Sequence, residues 1–415
     1  MIRLPTLPIS PWLRFAALNT LRNRRRSLVT VAVAALGTAA ILLAGGFALY
    51  TYQGLAEGSA RTTGHLVLAN SAQFTQDEET PLQHGLDGWT ALRRQLQDDP
   101  SVRQVLPRVE FSGLIGNGDK SVVMVGVGID PDAEFAVKGP FLTVTAGTLL
   151  DGRSRDTVML GERLARNLKA SPGSGLTLLA TTAAGALNAR DVTVVGLIST
   201  GIPEVDARLV YTDVLSAQQL LGSERVSSLG IFLDRMEATE PARQRLRQPL
   251  LAQAPQLAMQ TWLEQAPFYR SVKDLYNRIF GALGLIIGVI VVFVVTNAMA
   301  MAIIERTREI GTLRALGTLP GQLLRSLALE GLLLGGTGAL VGAVLSLTIS
   351  IGLLIVPVEM PPPPGRSVGY PLQIAIDPTL YLLTLLTMTL LSTGAAALVA
   401  RRTVHRPITE ALAHT

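Results

Sequence analysis

The sequence predicts a membrane α-helical protein: four transmembrane helices, with a large extracytoplasmic α/β domain between the first and the second. Three observations predict it. Of 415 residues 48% are apolar and only 16% charged, against about a quarter charged in soluble domains. Four windows, Ser27–Ala56, Ile279–Ile304, Gly331–Val358 and Pro378–Ala400, contain no Asp, Glu, Lys or Arg. Each exceeds the ~20 residues that cross a ~30 Å hydrocarbon core as a helix. Finally, the positive charge sits beside those windows. Residues 1–28 carry six Arg and no acid, 305–325 four Arg against two Glu, and 401–415 three Arg against one Glu, whereas 57–278 carries 22 basic and 25 acidic residues. This is the positive-inside pattern. It excludes a soluble enzyme, and it reads the net charge of +5 as topology rather than as a nucleic-acid surface.

The elements follow in order. Residues 1–27 form a cytoplasmic amphipathic segment: Trp12, Phe15, Leu18 and Leu21 recur every three residues with Arg14 and Arg22 among them, and Arg24, Arg25 and Arg26 close it. A short interfacial helix is expected there, with a disordered basic leader as the competing reading. Span one covers 28–52. A cleavable signal peptide is the alternative, but its apolar region is only ~7–15 residues long. Residues 53–274 form the external domain. Strand-like alternation marks Gly64–Asn70, Ser121–Ile129, Thr157–Leu160 and Asp191–Ile198, and helical stretches Trp89–Gln97, Gly161–Leu168 and Thr212–Leu221. A domain pair is expected, with Gln248–Pro267 leading back to the membrane. Span two covers 275–304, a cytoplasmic connection 305–322, span three 323–356, an outer loop 357–377, span four 378–400 and a cytoplasmic tail 401–415. In the outer loop, Met360–Gly365 contains four consecutive prolines, which predict a stiff polyproline II strut.

Cysteine is absent and only four histidines occur, so neither a thiolate site, a metal centre nor a bound cofactor is expected. Gly113–Ser121 (GLIGNGDKS) superficially resembles a phosphate loop, but Asp119 precedes Lys120 where glycine is needed, and its carboxylate repels phosphate. It reads as a hairpin turn. Gly284/Gly288, Gly331/Gly335 and Gly338/Gly342 have the small-xxx-small spacing that lets helices approach closely in lipid, serving either a dimer interface or packing within the chain. Glu330 is the acid nearest an otherwise apolar span, a costly position and a functional candidate.

The sharpest motif is Glu305–Leu319 (ERTREIGTLRALGTL). As a helix it aligns Ile310, Leu313 and Leu316 in an apolar strip and leaves Arg306, Arg308, Glu309 and Arg314 polar. Glu305 and Glu309 are like charges at i,i+4, unfavourable in an isolated helix. A helix offered to a partner and one resting on lipid headgroups both fit. The run Glu305–Gly317 closely resembles the signature of FtsX-like ABC-transporter permeases of the type VII, mechanotransmission group. Asn19–Gly37, Gly161–Asn167, Val192–Gly201, Asp206–Leu215 and Arg401–Leu412 are similar to other parts of that family.

The resemblance implies a MacB-like periplasmic core domain and a location in the bacterial inner membrane with both termini cytoplasmic. It makes Glu305, Arg306, Arg308, Glu309, Ile310, Leu313, Arg314, Leu316 and Gly317 a coupling helix docked on a separate cytosolic ATPase subunit, and Glu330 a structural tie between span three and the interface. It further implies a second permease copy or paralogue, a lipoprotein, lipid or other hydrophobic cargo, and a periplasmic carrier or adaptor. Lipoprotein-releasing members are the most similar. Efflux with an adaptor and control of a cell-wall hydrolase are the alternatives.

Overall fold

The computed structural model describes residues 11–22, 24–76, 78–138, 143–361 and 369–404. The chain opens with α1 (Pro11–Arg22) and α2 (Arg24–Thr63). There follow β1 (Leu66–Asn70), α3 (Trp89–Gln97), β2 (Val102–Gly116), β3 (Ser121–Ile129), α4 (Pro131–Lys138), β4 (Thr143–Gly147), β5 (Thr157–Gly161) and α5 (Glu162–Leu168). Next come β6 (Gly175–Thr181), β7 (Leu187–Ser199), α6 (Pro203–Asp206), β8 (Leu209–Asp213), α7 (Val214–Leu221), β9 (Ser228–Leu233), α8 (Thr239–Gln253) and β10 (Leu257–Thr261). The chain then runs through α9 (Pro267–Glu305), α10 (Thr307–Ala315), α11 (Pro320–Ile355), the two-residue strands β11 (Glu359–Met360) and β12 (Tyr370–Pro371), and α12 (Pro378–Val404). It divides into a helical unit, residues 1–53, 272–358 and 371–415, and an α/β unit, residues 54–271 and 359–370. Of the strut expected over Met360–Gly365, Met360 ends β11 and residues 362–365 lie outside the described residues, as do the tail beyond Val404 and the side chain of Trp12.

In the helical unit, α2, α9, α11 and α12 are long and apolar enough to cross a membrane. The 40 residues of α2 and 39 of α9 correspond to about 60 Å each, well beyond their uncharged windows. Glycine sets the spacing of the bundle. A Cβ on Gly331 would stand 2.3 Å from Ala396 Cβ, and one on Gly335 2.2 Å from Ser392 Cβ, so these two admit α12. One on Gly338 would stand 2.6 Å from Ala34 Cβ, and one on Gly342 2.3 Å from the Ala35 carbonyl, so these two admit α2. Both pairs therefore serve packing within the chain rather than a dimer interface. Gly284 has nothing within 4 Å and Gly288 meets only Leu391, at 3.7 Å. From α9 a single strip, Val291, Val295, Met299 and Ile303, enters the bundle core, as i,i+4 spacing requires.

The α/β unit is built on one ten-stranded sheet, ordered β10-β1-β9-β2-β3-β8-β5-β7-β4, with β6 pairing β2 and β7. One sheet replaces the expected domain pair. Its principal core takes Leu164 and Leu168 of α5, Ala217 and Leu221 of α7, and Leu246 and Leu250 of α8 against the inward residues of the strands. A second cluster gathers Ile129, Leu150, Met159, Ile198, Leu209 and Tyr211. Strand β3 and helix α3 have the bounds their patterns predict, and Gly113–Ser121 contains the β2–β3 turn. There Asn117 Oδ1 accepts from the Asp119 and Lys120 amides at 3.1 and 2.9 Å, and Gly118 takes φ +91°. Helix α7 begins two residues later than predicted. Thr212 and Asp213 complete β8, and the Asp213 carboxylate caps the helix by accepting from Ser216 N at 3.0 Å. Nor is Gln248–Pro267 a bare connector: it holds the end of α8 and the strand β10, which buries Leu257, Met259 and Thr261. Its composition hid a strand only five residues long.

Within this unit the last turn of α2 is tightly bound. β1, which follows α2, pairs antiparallel with β10, which precedes α9, so Leu66 lies opposite Thr261. Trp262 N donates to the His65 carbonyl at 3.0 Å. Arg108, almost wholly buried, donates to the Thr62 carbonyl and at 3.1 Å to Glu134 of α4. Burial, followed by the Glu134 charge, raises the Tyr211 hydroxyl to about 12. His65 Nδ1 accepts from Leu233 N at 3.1 Å. Burial, then the Arg61 charge, holds its pKa below the ordinary value.

Two outcomes are expected. Arg108→Ala strands the Glu134 carboxylate and costs about 3–5 kcal/mol, whereas replacing both members by apolar residues costs less; denaturant titration of the two variants measures the order. Folded His65 resists protonation, so its contribution is full above the unfolded value near 6.5 and is lost as pH falls below it. Thermal melts between pH 7.5 and 5 should show that loss, and His65→Gln should flatten it.

Candidate functional site

The polar residues singled out between Glu305 and Glu330 gather at one end of the helical unit. Helix α9 stops at Glu305, because Arg306 leaves the helical range (φ −110°, ψ 15°) and α10 starts afresh at Thr307. The chain leaves α10 through Gly317 at φ +98°, a left-handed conformation that favours glycine, and enters α11 with Pro320 at its first position. The run is thus a short helix of its own between two membrane-length helices.

The break alters the electrostatics expected of Glu305 and Glu309. They lie on two helices, and each meets an arginine from the start of the chain. Arg26 of α2 holds Glu305 through both terminal nitrogens, at 2.7 and 3.2 Å, and Arg22 of α1 holds Glu309 at 2.9 Å. These pairs are solvent-exposed or nearly so, and exposed pairs contribute about 0–1 kcal/mol each. The like-charge penalty read from the motif is therefore answered by tertiary partners.

Beneath them lies a buried node. The side chain of Glu330, 4% exposed, accepts from Arg306 Nη1 at 3.1 Å and from Asn19 Nδ2 at 2.8 Å. Arg306 Nη2 also donates to the Asn19 carbonyl at 3.3 Å. Arg306, expected on the polar face offered outward, is instead turned into the bundle, because a carboxylate buried on α11 requires a cation beside it. Glu330 thereby ties α1, the α9–α10 junction and α11 together.

The apolar strip also divides. Ile310 is buried and Leu313 packs beside it against the core that contains Ile303, Leu323 and Leu327, whereas Leu316 is 80% exposed and Leu319 63%. Arg308 and Glu309 are exposed and Arg314 is half-buried. On α1, Ala16 is buried and Leu18 exposed, so the inward face carries Ala16 and Asn19 rather than a stripe through Leu18. Arg24 and Arg25 are exposed at the start of α2. Asn19 and Arg22 are the partners of this cluster that the motif reading did not single out. A neutral amide and one arginine among six give no local signal of a partner some 300 residues away. Among the described residues no group of three or more His, Cys, Asp or Glu is placed to hold a metal ion.

The buried and exposed pairs should differ in weight. Arg306→Ala leaves Glu330 buried and short of its cation, an expected loss of about 3–5 kcal/mol. Arg22→Ala should cost about 0–1 kcal/mol. Thermal unfolding of the purified protein in detergent checks the order.

Residues 281–408 match the family model for the FtsX-like permease C-terminal region, and residues 27–248 that for the MacB-like periplasmic core domain. Over 273 residues the chain is 27% identical to the lipoprotein-releasing system transmembrane protein LolE of Haemophilus influenzae, covering 64% of each. Over 266 residues it is 26% identical to the lipoprotein-releasing system transmembrane protein LolC of Neisseria meningitidis, covering 62% of this chain and 63% of that one. The chain thus spans somewhat under two thirds of these relatives' length. The periplasmic region of MacB from Actinobacillus actinomycetemcomitans aligns with a TM-score of 0.37 at 16% identity, over 52% of this chain and 95% of that one, a likeness too slight to carry an argument. The second of these models alone matches more than half of the chain, and the two together make the assignment: the protein belongs to the FtsX-like permeases with a MacB-like periplasmic core domain.

Proposed function

We propose that this chain is the membrane subunit of an ABC transporter, that a separate cytosolic ATPase grips α10, and that the pair extracts a lipoprotein or lipid from the inner membrane. In this reading both termini and α10 are cytoplasmic and the α/β unit is periplasmic. The observation that carries it is the seating of α10. Ile310 and Leu313 key the helix into the core shared with α9 and α11, Arg22 braces its Glu309 while Arg26 holds Glu305 at the end of α9, and Leu316 stands out as an apolar knob just past its end. A push on the outer side of such a helix moves α9 and α11 with it, because the Arg306–Glu330 tie and the shared core resist separation. Closure of the ATPase then becomes motion of long helices, provided that its two states contact α10 differently. A second permease copy or paralogue completes the translocation path, for which the unfilled Gly284/Gly288 face of α9 is available. The names of the relatives, both lipoprotein-releasing, support the cargo; a periplasmic carrier or adaptor receives it.

Leu316→Asp and Arg308→Glu should lower cargo-stimulated ATPase activity of the reconstituted complex by about tenfold, within the range of a coupling of about 1–3 kcal/mol, with the protein still folded. Leu313→Asp should instead reduce the amount of folded protein, because that side chain is part of the core. Unchanged stimulation in the first two variants overturns the coupling. A cysteine at Thr312, introduced into a chain that has none, should resist membrane-impermeant reagent added outside intact cells; labelling there inverts the topology.

A further inference from the structure

The α/β unit holds a cavity of 370 Å³ where the end of α2 meets the sheet, a volume within the ~300–1,000 Å³ of small-molecule sites. Its polar wall has four sources. Glu57 and Arg61 come from α2, His65 from the residue before β1, Arg103 from β2, and Asp234 from the residue after β9. Phe232, Val137 and Met236 supply an apolar side.

Three of the five polar residues are engaged within the chain. Glu57 and Arg61, at i,i+4 on one face of the helix, pair with each other at 3.2 Å. His65 Nδ1 accepts from Leu233 N at 3.1 Å, and its ring stands edge-to-face with buried Phe232, the centroids 6.1 Å apart. Arg103 and Asp234 differ. Both are exposed, and among the described residues neither side chain makes a hydrogen bond or an ion pair. Their placement follows from the register of β2 against β9. Val102 lies opposite Leu233 and Gln104 opposite Phe232, so Arg103 is the extra residue of a β-bulge, and Asp234 stands one place past Leu233. A bulge re-aims its side chain. Here an arginine and an aspartate from neighbouring strands line one cavity without closing on each other.

These walls select an occupant. A lone anion would meet Asp234 and Glu57, and a lone cation Arg61 and Arg103. An uncharged apolar solute would strip water from two unpaired charges without replacing it. A small molecule with a carboxylate and an ammonium at one end and an apolar body at the other meets every wall. The planar fork of Arg103 suits the carboxylate, Asp234 accepts from the ammonium, and the body lies on Phe232, Val137 and Met236.

We propose that this cavity binds a free zwitterionic amino acid with an apolar side chain. Because α2, β2 and the end of β9 all contribute to the cavity, its occupant stabilises the attachment of the end of α2 to the sheet. The site is separate from the α10 coupling and requires neither a cargo nor a second polypeptide.

The test titrates L-leucine, L-methionine and L-phenylalanine into the purified full-length protein in detergent by calorimetry, with no ATPase, cargo or other protein present. At least one should give a saturable isotherm with one site per chain and raise the melting temperature. The N-acetyl and amide derivatives of that amino acid, which lack the ammonium and the carboxylate respectively, should each bind about tenfold more weakly. Arg103→Gln and Asp234→Asn should each weaken binding by about tenfold. Since both side chains are exposed and make no internal bond among the described residues, the ligand-free melting temperature should not change. The phosphate and ammonium of phosphatidylethanolamine offer the same pair of charges, and nanodiscs of phosphatidylglycerol with and without that lipid separate the two sources. Equal amino-acid affinity in both is expected; loss of it in the presence of phosphatidylethanolamine assigns the cavity to a lipid headgroup and overturns the proposal. No saturable binding by any of the three amino acids, derivatives that bind as tightly as the parent, or affinity indifferent to both substitutions also overturns it.

Discussion

A carboxylate buried among apolar helices cannot stand alone, and that requirement organises the polar end of this bundle. Desolvation would penalise Glu330 by several kcal/mol. Arg306 and Asn19 answer it from two other places in the chain, and in doing so they fix where α9 ends and where α1 lies. The outer ion pairs from Arg22 and Arg26 then fall on Glu309 and Glu305. Those pairs are weak individually, but they orient a helix already keyed in by Ile310 and Leu313. The result has a firm inner tie and a soft outer brace.

The rest of the bundle obeys a different constraint. In lipid, apolar side chains gain little by leaving one hydrocarbon environment for another, so helices associate through close backbone approach. Gly331 and Gly335 bring α12 against one side of α11, and Gly338 and Gly342 bring α2 against another. Helix α11 is therefore the hub, and it also carries Glu330. By contrast α9 engages through one strip of four residues. The helix that continues into α10 is also the one with the narrowest hold on its neighbours.

The α/β unit solves the ordinary problem of a globular core, but its chain order matters for function. β1 directly follows α2, β10 directly precedes α9, and the two strands pair. The Arg108–Glu134 pair and the Thr62 carbonyl bind the end of α2 to the same sheet.

Much of this was legible in the chain. The four spans were plain because ~20 uncharged residues have few other uses, and β3 and α3 were plain because each satisfies its period over its whole length. The Glu305–Leu319 motif was visible as a pattern, but its inward and outward sides were not: Arg306 and Arg308 are the same residue type two positions apart, and only the location of Glu330 turns one of them inward. Asn19, Arg22 and strand β10 were missed for a related reason, since their roles come from partners hundreds of residues distant. Hydropathy and periodicity are properties of neighbours in sequence, and they settle which segments cross the membrane and which alternate. Pairing of charges, the seat of each glycine and the walls of a cavity are properties of neighbours in space, and the packing of the chain alone decides them.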